Sequence, residues 1–386
     1  MRIALLSPLP PEQTGIADYA AVFKLHLQDA GVEVVCPLQG VKFTHLQAAL
    51  ADINWAEFDV VHAELGGGRT LEFAALQWLS QLPVRPRLTA TIHDPERLVW
   101  RLSALPKPLS WLSILPAATK FATVLADPWT LKAERQLASQ LDALVTLTHT
   151  GARCLKDKMR LAEEKIHVIA HGNSHVEDAA LPPLQPLSLL YFGFIYKGKG
   201  IEDLLDALAL VFESNPQLKN TLKLTLAGGT APDITFNSKY NYCQQLVAKV
   251  NELNLNDAVS WQLNLPADGI ENLVCSHHVV VLPYQESRKL ALLGQMRGTS
   301  GVLSWANACA RGVISSDARS FAEEVSFGNG VIYEQENIKQ LADCITHVAL
   351  KPETVSDWHR AAKKLGAERR WPNIVQSFIT TVFQGN

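Results

Sequence analysis

The sequence carries no excess charge of either sign. Lys and Arg number 35 against 38 Asp and Glu, a formal net charge of -3 over 386 residues. A nucleic-acid or polyanion binder normally carries a basic excess, so no nucleic-acid partner is expected. Paired cysteines are missing as well. Cys36, Cys154, Cys243, Cys275, Cys309 and Cys344 contain no C-x-x-C spacing and read as reduced, mostly buried thiols of a cytoplasmic protein. No apolar run is long enough to span a bilayer. Met1 leads straight into a strand-like segment, without the charged start, apolar middle and small-residue cleavage site of a signal peptide. The first strand candidate is followed by neither G-x-G-x-x-G nor a Walker loop, which speaks against an oxidoreductase and a P-loop enzyme.

What is present is ordinary globular composition, 47% apolar and 19% charged, in a length that suits two domains at roughly 100–200 residues each. Short Val/Ile/Leu runs at 3–6, 32–36, 60–62, 88–93, 144–147 and 167–169 alternate with helical stretches. Continuous apolar runs of this kind fit parallel strands covered on both faces. Ile16, Ala20, Phe23 and Leu27 share one helical face after the first run. The pattern restarts after the Pro-rich stretch 181–186, the best linker candidate. Strands are expected at 189–192, 222–227, 279–282, 313–315 and 331–333, with a helix burying Ile201, Leu204, Leu205, Leu208, Val211 and Phe212. The expected architecture is α/β: a first domain over 1–184, a second over 185–365, and a terminal amphipathic helix over 366–386. Two such sheets facing each other place a cleft between the domains, at the carboxyl ends of their strands.

Four loops carry candidate chemistry. The first runs from Ser7 to Gly15, between the first strand and first helix. A glycine there either serves a turn or lets an anion approach free backbone N–H groups. The second, Gly193 to Gly200, sets Lys197 and Lys199 beside Gly198 just before a helix. A cation at a helix N-terminus is unfavourable unless an anion joins it, and a diphosphate would; the alternative is two solvated surface lysines. The third, Arg297-Gly298-Thr299-Ser300-Gly301, precedes the helical run 302–310 and reads as a phosphate site or a plain Ser/Thr cap. The fourth is His93-Asp94 at a strand's carboxyl end, where His93 suits hydrogen bonds to sugar hydroxyls or proton transfer and Asp94 suits either the site or a cap. Glu64, ahead of Gly66-Gly67-Gly68, and His171 are weaker candidates for an acceptor side, with loop and capping chemistry as the bland alternative.

In order and spacing these elements resemble glycosyltransferases of the GT-B fold, family 4 among them, over nearly the whole chain. The resemblance rests on Ser7–Pro11 through Gly15–Tyr19, on Gly193–Gly200 followed by Ile201–Leu205, and on Ser300–Leu303 through Arg311–Ile314. It implies two Rossmann-like domains, a terminal helix that crosses back to the first domain, and a retaining, metal-independent transfer of a sugar from a nucleotide-diphosphate donor, with no cofactor. His93 matches the family's histidine near the transferred sugar. Lys199 and backbone N–H groups near Gly15, Ser300 and Gly301 match its diphosphate contacts, with Thr299 a further donor-side candidate and Lys197 or Arg297 compensating for the arginine absent at Phe194. Two departures stand out. Arg297 and Trp305 occupy the places of two glutamates eight positions apart, which leaves Glu286 to take part of the sugar-side role and Arg297 to meet a phosphate or carboxylate. Phe194 stands where an arginine often begins the donor loop.

The acceptor is expected to be a saccharide or lipid-linked saccharide, in bacterial-type polysaccharide or glycoconjugate synthesis. Trp100, Trp111 and Trp129, interspersed with Arg101, Lys107, Lys120 and Lys132, read either as a peripheral contact with the inner membrane face or as tryptophans packed inside an irregular segment. A silent sugar-nucleotide-binding relative and a nucleotide-sugar epimerase are the competing functions. Donor base, sugar, linkage and oligomeric state have no signature in the sequence.

Overall fold

The computed structural model describes residues 1–100, 119–177, 179–229, 242–286, 291 and 293–385. The chain forms two compact units. The first comprises Met1–Gly172, Lys289–Thr299 and Trp371–Asn386; the second comprises Asn173–Arg288 and Ser300–Arg370.

In the first unit the order is β1 (Arg2–Leu6), α1 (Gly15–Asp29), β2 (Glu33–Val35), α2 (Leu46–Ala51), β3 (Val60–Leu65), α3 (Thr70–Leu79), β4 (Arg87–Ile92), α4 (Thr119–Gln140), β5 (Ala143–Thr146), α5 (His149–Met159) and β6 (Ile166–Val168). The strands form one parallel sheet in the order β2-β1-β3-β4-β5-β6. Its short strands are apolar on both faces because both faces are covered. Ile3 and Leu5 of β1 join one core with Phe23 and Leu27, and Ala4 and Leu6 join another with Leu76 and Leu88. The Thr14 hydroxyl caps α1 by accepting from the Ala17 N–H at 3.1 Å.

The second unit runs β7 (Leu187–Phe192), α6 (Ile201–Ser214), β8 (Leu222–Gly228), α7 (Tyr242–Glu252), β9 (Val259–Leu263), α8 (Ile270–Cys275), β10 (Val279–Leu282), α9 (Gly301–Ala308), β11 (Gly312–Ser316), α10 (Phe321–Glu324), β12 (Gly330–Tyr333), α11 (Ile338–Leu350) and α12 (Pro352–Glu368). Its parallel sheet has the order β12-β11-β10-β7-β8-β9. The expected apolar face of α6 is buried in full. Strand β9 has no counterpart among the expected strands. It is an edge strand with mostly exposed side chains, so no apolar run marks it.

Three boundaries differ from the sequence expectation. The first falls after Gly172 rather than 184, because the Pro-rich stretch is fastened to the second unit. His278 Nε2 lies 3.1 Å from the Pro183 carbonyl oxygen, and the buried Arg311 donates to the Ala179 and Ala180 carbonyls at 2.7 Å each. The segment Lys289–Thr299, placed inside the second domain by its position in sequence, belongs to the first unit. There the Arg297 N–H donates to the Pro95 carbonyl (2.7 Å) and the Gln295 N–H to the Glu96 carboxylate (2.6 Å). The terminal helix begins at Trp371, not 366, since α12 and Arg369 stay with the second unit, where Arg369 pairs with the buried Glu324 at 2.8 Å.

The terminal segment, α13 (Trp371–Ser377) and a π-helical turn (Phe378–Phe383), completes one core of the first unit. Phe378 packs on Phe23 with ring centroids 4.6 Å apart and on His62 at 5.5 Å. Removing a buried aromatic ring costs about 3–5 kcal/mol. Phe378→Ala is therefore expected to lower the urea-unfolding free energy by about that amount. Trp129→Ala, on a residue 51% exposed, should change it by about 0.5 kcal/mol or less.

Candidate functional site

In an open parallel sheet the ligand crevice lies where neighbouring strands send their connections to opposite sides. In the first sheet that point lies between β1 and β3, and in the second between β7 and β10. Candidate residues gather at both.

At the first point, Gly15 opens α1. Its φ is not positive and a Cβ built on it would meet nothing within 4 Å, so the fold itself does not require glycine there. The turn reading thus loses its basis, and open approach to the helix start remains. The glycines after β3 differ. A Cβ on Gly66 would lie 2.7 Å from Ile16 Cδ1, and the Gly67 N–H donates to the Asp94 carboxylate at 3.1 Å. Asp94 therefore fastens this loop. Gly298 lies against the same turn: a Cβ there would come 2.3 Å from the His93 carbonyl oxygen.

His93, at the end of β4, is held by Glu64. Its Nε2 stands 2.7 Å from Glu64 Oε2. Glu64 was expected to line the acceptor side, and the structure corrects this: its carboxylate is fully buried and turned to the imidazole. Burial would raise the Glu64 carboxyl, but the hydrogen bonds and charges of His62 and His93 overcome it and hold it down to about 2. An ionised carboxylate only accepts, so His93 gives it an Nε2–H, which leaves Nδ1 as an acceptor. Tyr19 of α1 stands edge-on to His93 (ring centroids 4.8 Å), to His171 (5.0 Å) and to Trp371 (5.1 Å). His171 thus joins the same cluster as His93. The Tyr19 hydroxyl is buried without a hydrogen-bond partner among the described residues.

Arg297 and Thr299 also belong to the first unit, whereas Ser300 and Gly301 belong to the second. The Arg297 guanidinium donates to Gln295 and lines a cavity of about 460 Å³ with Glu96, Arg135 and Lys158. The Thr299 hydroxyl is buried with no partner among the described residues.

At the second point, the β7–α6 loop carries Lys197 and Lys199. Lys197 is exposed and Lys199 is buried, so the reading as two solvated lysines fails for Lys199. Its Nζ lies 3.4 Å from the ring centroid of Tyr284, a cation–π contact, and among the described residues no carboxylate pairs with it. Burial pushes this ammonium down to about 8, and the positive charge of Arg319 acts in the same direction. The backbone is compressed to make this arrangement. Gly200 begins α6 with φ 68°, and a Cβ on it would lie 1.6 Å from the Pro283 carbonyl oxygen. Ser300 caps α9 by accepting from the Val302 N–H at 3.3 Å. Glu286 accepts from the Arg319 N–H at 2.6 Å. Trp305 packs against the core of its own unit.

Sequence reasoning missed Tyr19, His62 and Arg319. Tyr19 and His62 sit in apolar-looking elements, and only the sheet reveals what they face. Arg319 follows β11, where the ligand-placement rule points to it.

The membrane reading draws no support from what is described. The Trp100 indole N–H donates to the Asp94 carbonyl at 2.9 Å. Arg101, Lys107, Trp111 and the Lys120 side chain lie outside the described residues. Among the described residues no helix is long and apolar enough to cross a membrane, and no group of three or more His, Cys, Asp or Glu could hold a metal ion.

Residues 177–365 match the family described as glycosyl transferases group 1. No curated protein matches the chain. Several solved structures share its fold. Sucrose-phosphate synthase from Thermosynechococcus elongatus is 18% identical with a TM-score of 0.70, covering 100% of this chain and 98% of that one. The Anabaena protein HepE, in complex with UDP, is 16% identical with a TM-score of 0.68, covering 100% of both chains. An E. coli trehalose-6-phosphate protein bound with UDP-2-fluoro glucose is 13% identical with a TM-score of 0.67, covering 100% and 99%. These likenesses establish the GT-B fold.

The tight approach at Gly298 gives a direct check. Overpacking typically costs about 1–3 kcal/mol. Gly298→Ala should lower the urea-unfolding free energy by that much, whereas Gly15→Ala should leave it within about 0.5 kcal/mol.

Proposed function

We propose that this chain, a glycosyltransferase of the GT-B fold with a group 1 domain over residues 177–365, is a retaining, metal-independent enzyme of the family 4 type. It moves a sugar from a nucleotide-diphosphate donor to a saccharide or lipid-linked saccharide. The observation that carries this reading is Lys199: a buried ammonium with no carboxylate partner among the described residues, beside a helix start at a strand-order switch point. Such a cation is costly unless an anion joins it, and a diphosphate is that anion.

In the proposed reaction the bond between the sugar's anomeric carbon and the diphosphate oxygen breaks. A bond from the acceptor oxygen to the same carbon forms on the same face, and the acceptor's proton passes to the departing phosphate. Lys199, Lys197, Ser300 and the N–H groups at Gly301 are assigned to the diphosphate, whose growing charge they stabilise. Arg319 adds positive charge near Tyr284. His93 is assigned to the transferred sugar, Gly15 to donor contact at the α1 start, and Asp94 and His171 to the walls around His93. Glu64 orients His93. This assignment gives the charge stabilisation to protein groups, so chelation should not weaken donor binding. Glu286 and Arg297 are already engaged with Arg319 and Gln295, which favours one second reading, a donor-binding relative without turnover.

Titration with UDP, GDP, ADP and dTDP in EDTA tests the proposal. One of them is expected to bind and raise Tm, and Lys199→Ala is expected to weaken it about 10- to 100-fold, from about 1.5–3 kcal/mol for a charge-assisted hydrogen bond. If no nucleotide binds without a divalent metal, the proposal fails. Binding without any hydrolysis or transfer of the matching nucleotide sugar would support the silent relative.

Protonation supplies a further check. The free Lys199 ammonium titrates near 8, and only its charged form attracts the diphosphate. Affinity is therefore full below about pH 8 and lost as pH rises through it, with Kd rising by up to about tenfold per pH unit. Calorimetry between about pH 7 and 9.5 should show that slope in wild type, and Lys199→Ala should remove it.

A further inference from the structure

His62 takes no part in the reaction proposed above, yet it is one of two imidazoles on the buried Glu64 carboxylate. It is fully buried, and its Nε2 stands 3.3 Å from Glu64 Oε1, whereas His93 meets the other oxygen. We propose that His62 is a positioning residue, which acts through Glu64 to hold His93 in a single protonation form and orientation.

The bland alternative is a core ring. Phe23, Phe378 and Phe383 surround His62 with centroids 5.4–5.8 Å away, and a phenyl group would suit them. Two facts oppose it. Both ring nitrogens are engaged: Nδ1 lies 2.8 Å from the Thr89 hydroxyl, and Nε2 lies 3.0 Å from the Thr91 hydroxyl and faces Glu64. Both threonines are fully buried on β4, two residues apart, so they share one face of that strand, and His62 on β3 is in register with Thr89. Buried polar groups of this kind are costly unless they satisfy one another.

The proton placement follows from Glu64. The titratable groups facing it are His62 on its own strand, His93 at the end of β4 and Tyr19 of α1, whose phenol is pushed up first by burial and then by the Glu64 charge. Among the described residues no Lys or Arg pairs with it. Its Oε2 therefore depends on the hydrogen bond with His93, and its Oε1, which has no hydrogen-bond partner among the described residues, depends on the His62 ring 3.3 Å away. With Glu64 ionised, His62 turns Nε2–H towards it and Nδ1 accepts from Thr89, while His93 gives its own Nε2–H to the other oxygen. Without His62, that oxygen of a fully buried carboxylate would lose the imidazole that faces it. Glu64 would then take up a proton at higher pH, and a protonated carboxyl no longer fixes His93.

This rests on the role given to His93, but its test needs no ligand. The full chain is labelled with carboxyl-13C glutamate, with the Glu64 signal identified by its loss in Glu64→Gln, and separately with 15N-histidine. Between about pH 4 and 8, wild-type Glu64 should stay ionised. In His62→Leu its midpoint should rise by about two units or more into that window, and the His93 Nε2–H should exchange out of the spectrum. His62→Gln, whose amide can donate to Glu64, should behave as wild type. If His62→Leu does not fold, His62→Phe, which matches the surrounding rings, carries the same expectation. A Glu64 that stays ionised to about pH 4 without His62, or a His62→Gln that behaves as His62→Leu, overturns the proposal. Failure of the nucleotide titrations would leave this result untouched, so the two readings fail separately.

Discussion

An ammonium buried against an aromatic face, with no carboxylate among the described residues to neutralise it, is the constraint around which the second unit's loop end is arranged. Lys199 meets the ring of Tyr284 and feels Arg319 beyond it, so the two nearby charges share one sign. A fold built for stability alone would pair or expose such a group. Here the backbone is drawn in to enclose it. Gly200 approaches the Pro283 carbonyl, and Gly228 approaches that of Gly193, where a Cβ would lie 1.7 Å from the oxygen. The loops after β7, β8 and β10 can converge only because these positions carry no side chain. On the proposed reading, the positive charge is thus held in advance of the anion it meets.

The first unit uses the opposite solution for an ionised group. Glu64 is buried more deeply still, but both of its oxygens face imidazole nitrogens. One unit therefore keeps a buried charge without a carboxylate partner among the described residues, and the other sets a buried carboxylate against a histidine side chain. The second arrangement costs stability only if a partner is lost, which makes it a matter of geometry rather than of affinity.

Much of this was legible in the sequence, for identifiable reasons. Apolar runs such as Val279–Leu282 and the spaced leucines of α6 announce buried strands and an amphipathic helix by period alone. Lys199 stood out because it is a cation just before a helix start, and His93 because it follows the end of a strand. The edge strand β9 was not found, because Val259–Leu263 is largely exposed and lacks the signal. Glu64 was misplaced: a carboxylate next to three glycines looks like an exposed loop residue, and only the register of β3 against β4 shows that it points inward to His93. The assignment of Lys289–Thr299 to the first unit was illegible for a different reason. The clamp that holds it, from Pro95, Glu96 and Arg97, depends on contacts between residues about 200 positions apart in sequence.

The same interleaving has a consequence for how the protein is made. Trp371, Phe378 and Phe383 close the core that Phe23, Leu27 and Val145 begin. During synthesis the stretch Met1–Gly172 leaves the ribosome with that apolar surface uncovered, and it stays uncovered until the codons for the terminal segment are read. The second unit, whose own strands and helices lie between, can finish folding earlier. The amino-terminal unit is thus the last to be completed, and a nascent chain halted before Trp371 would expose a sticky sheet face that chaperones or proteases can recognise.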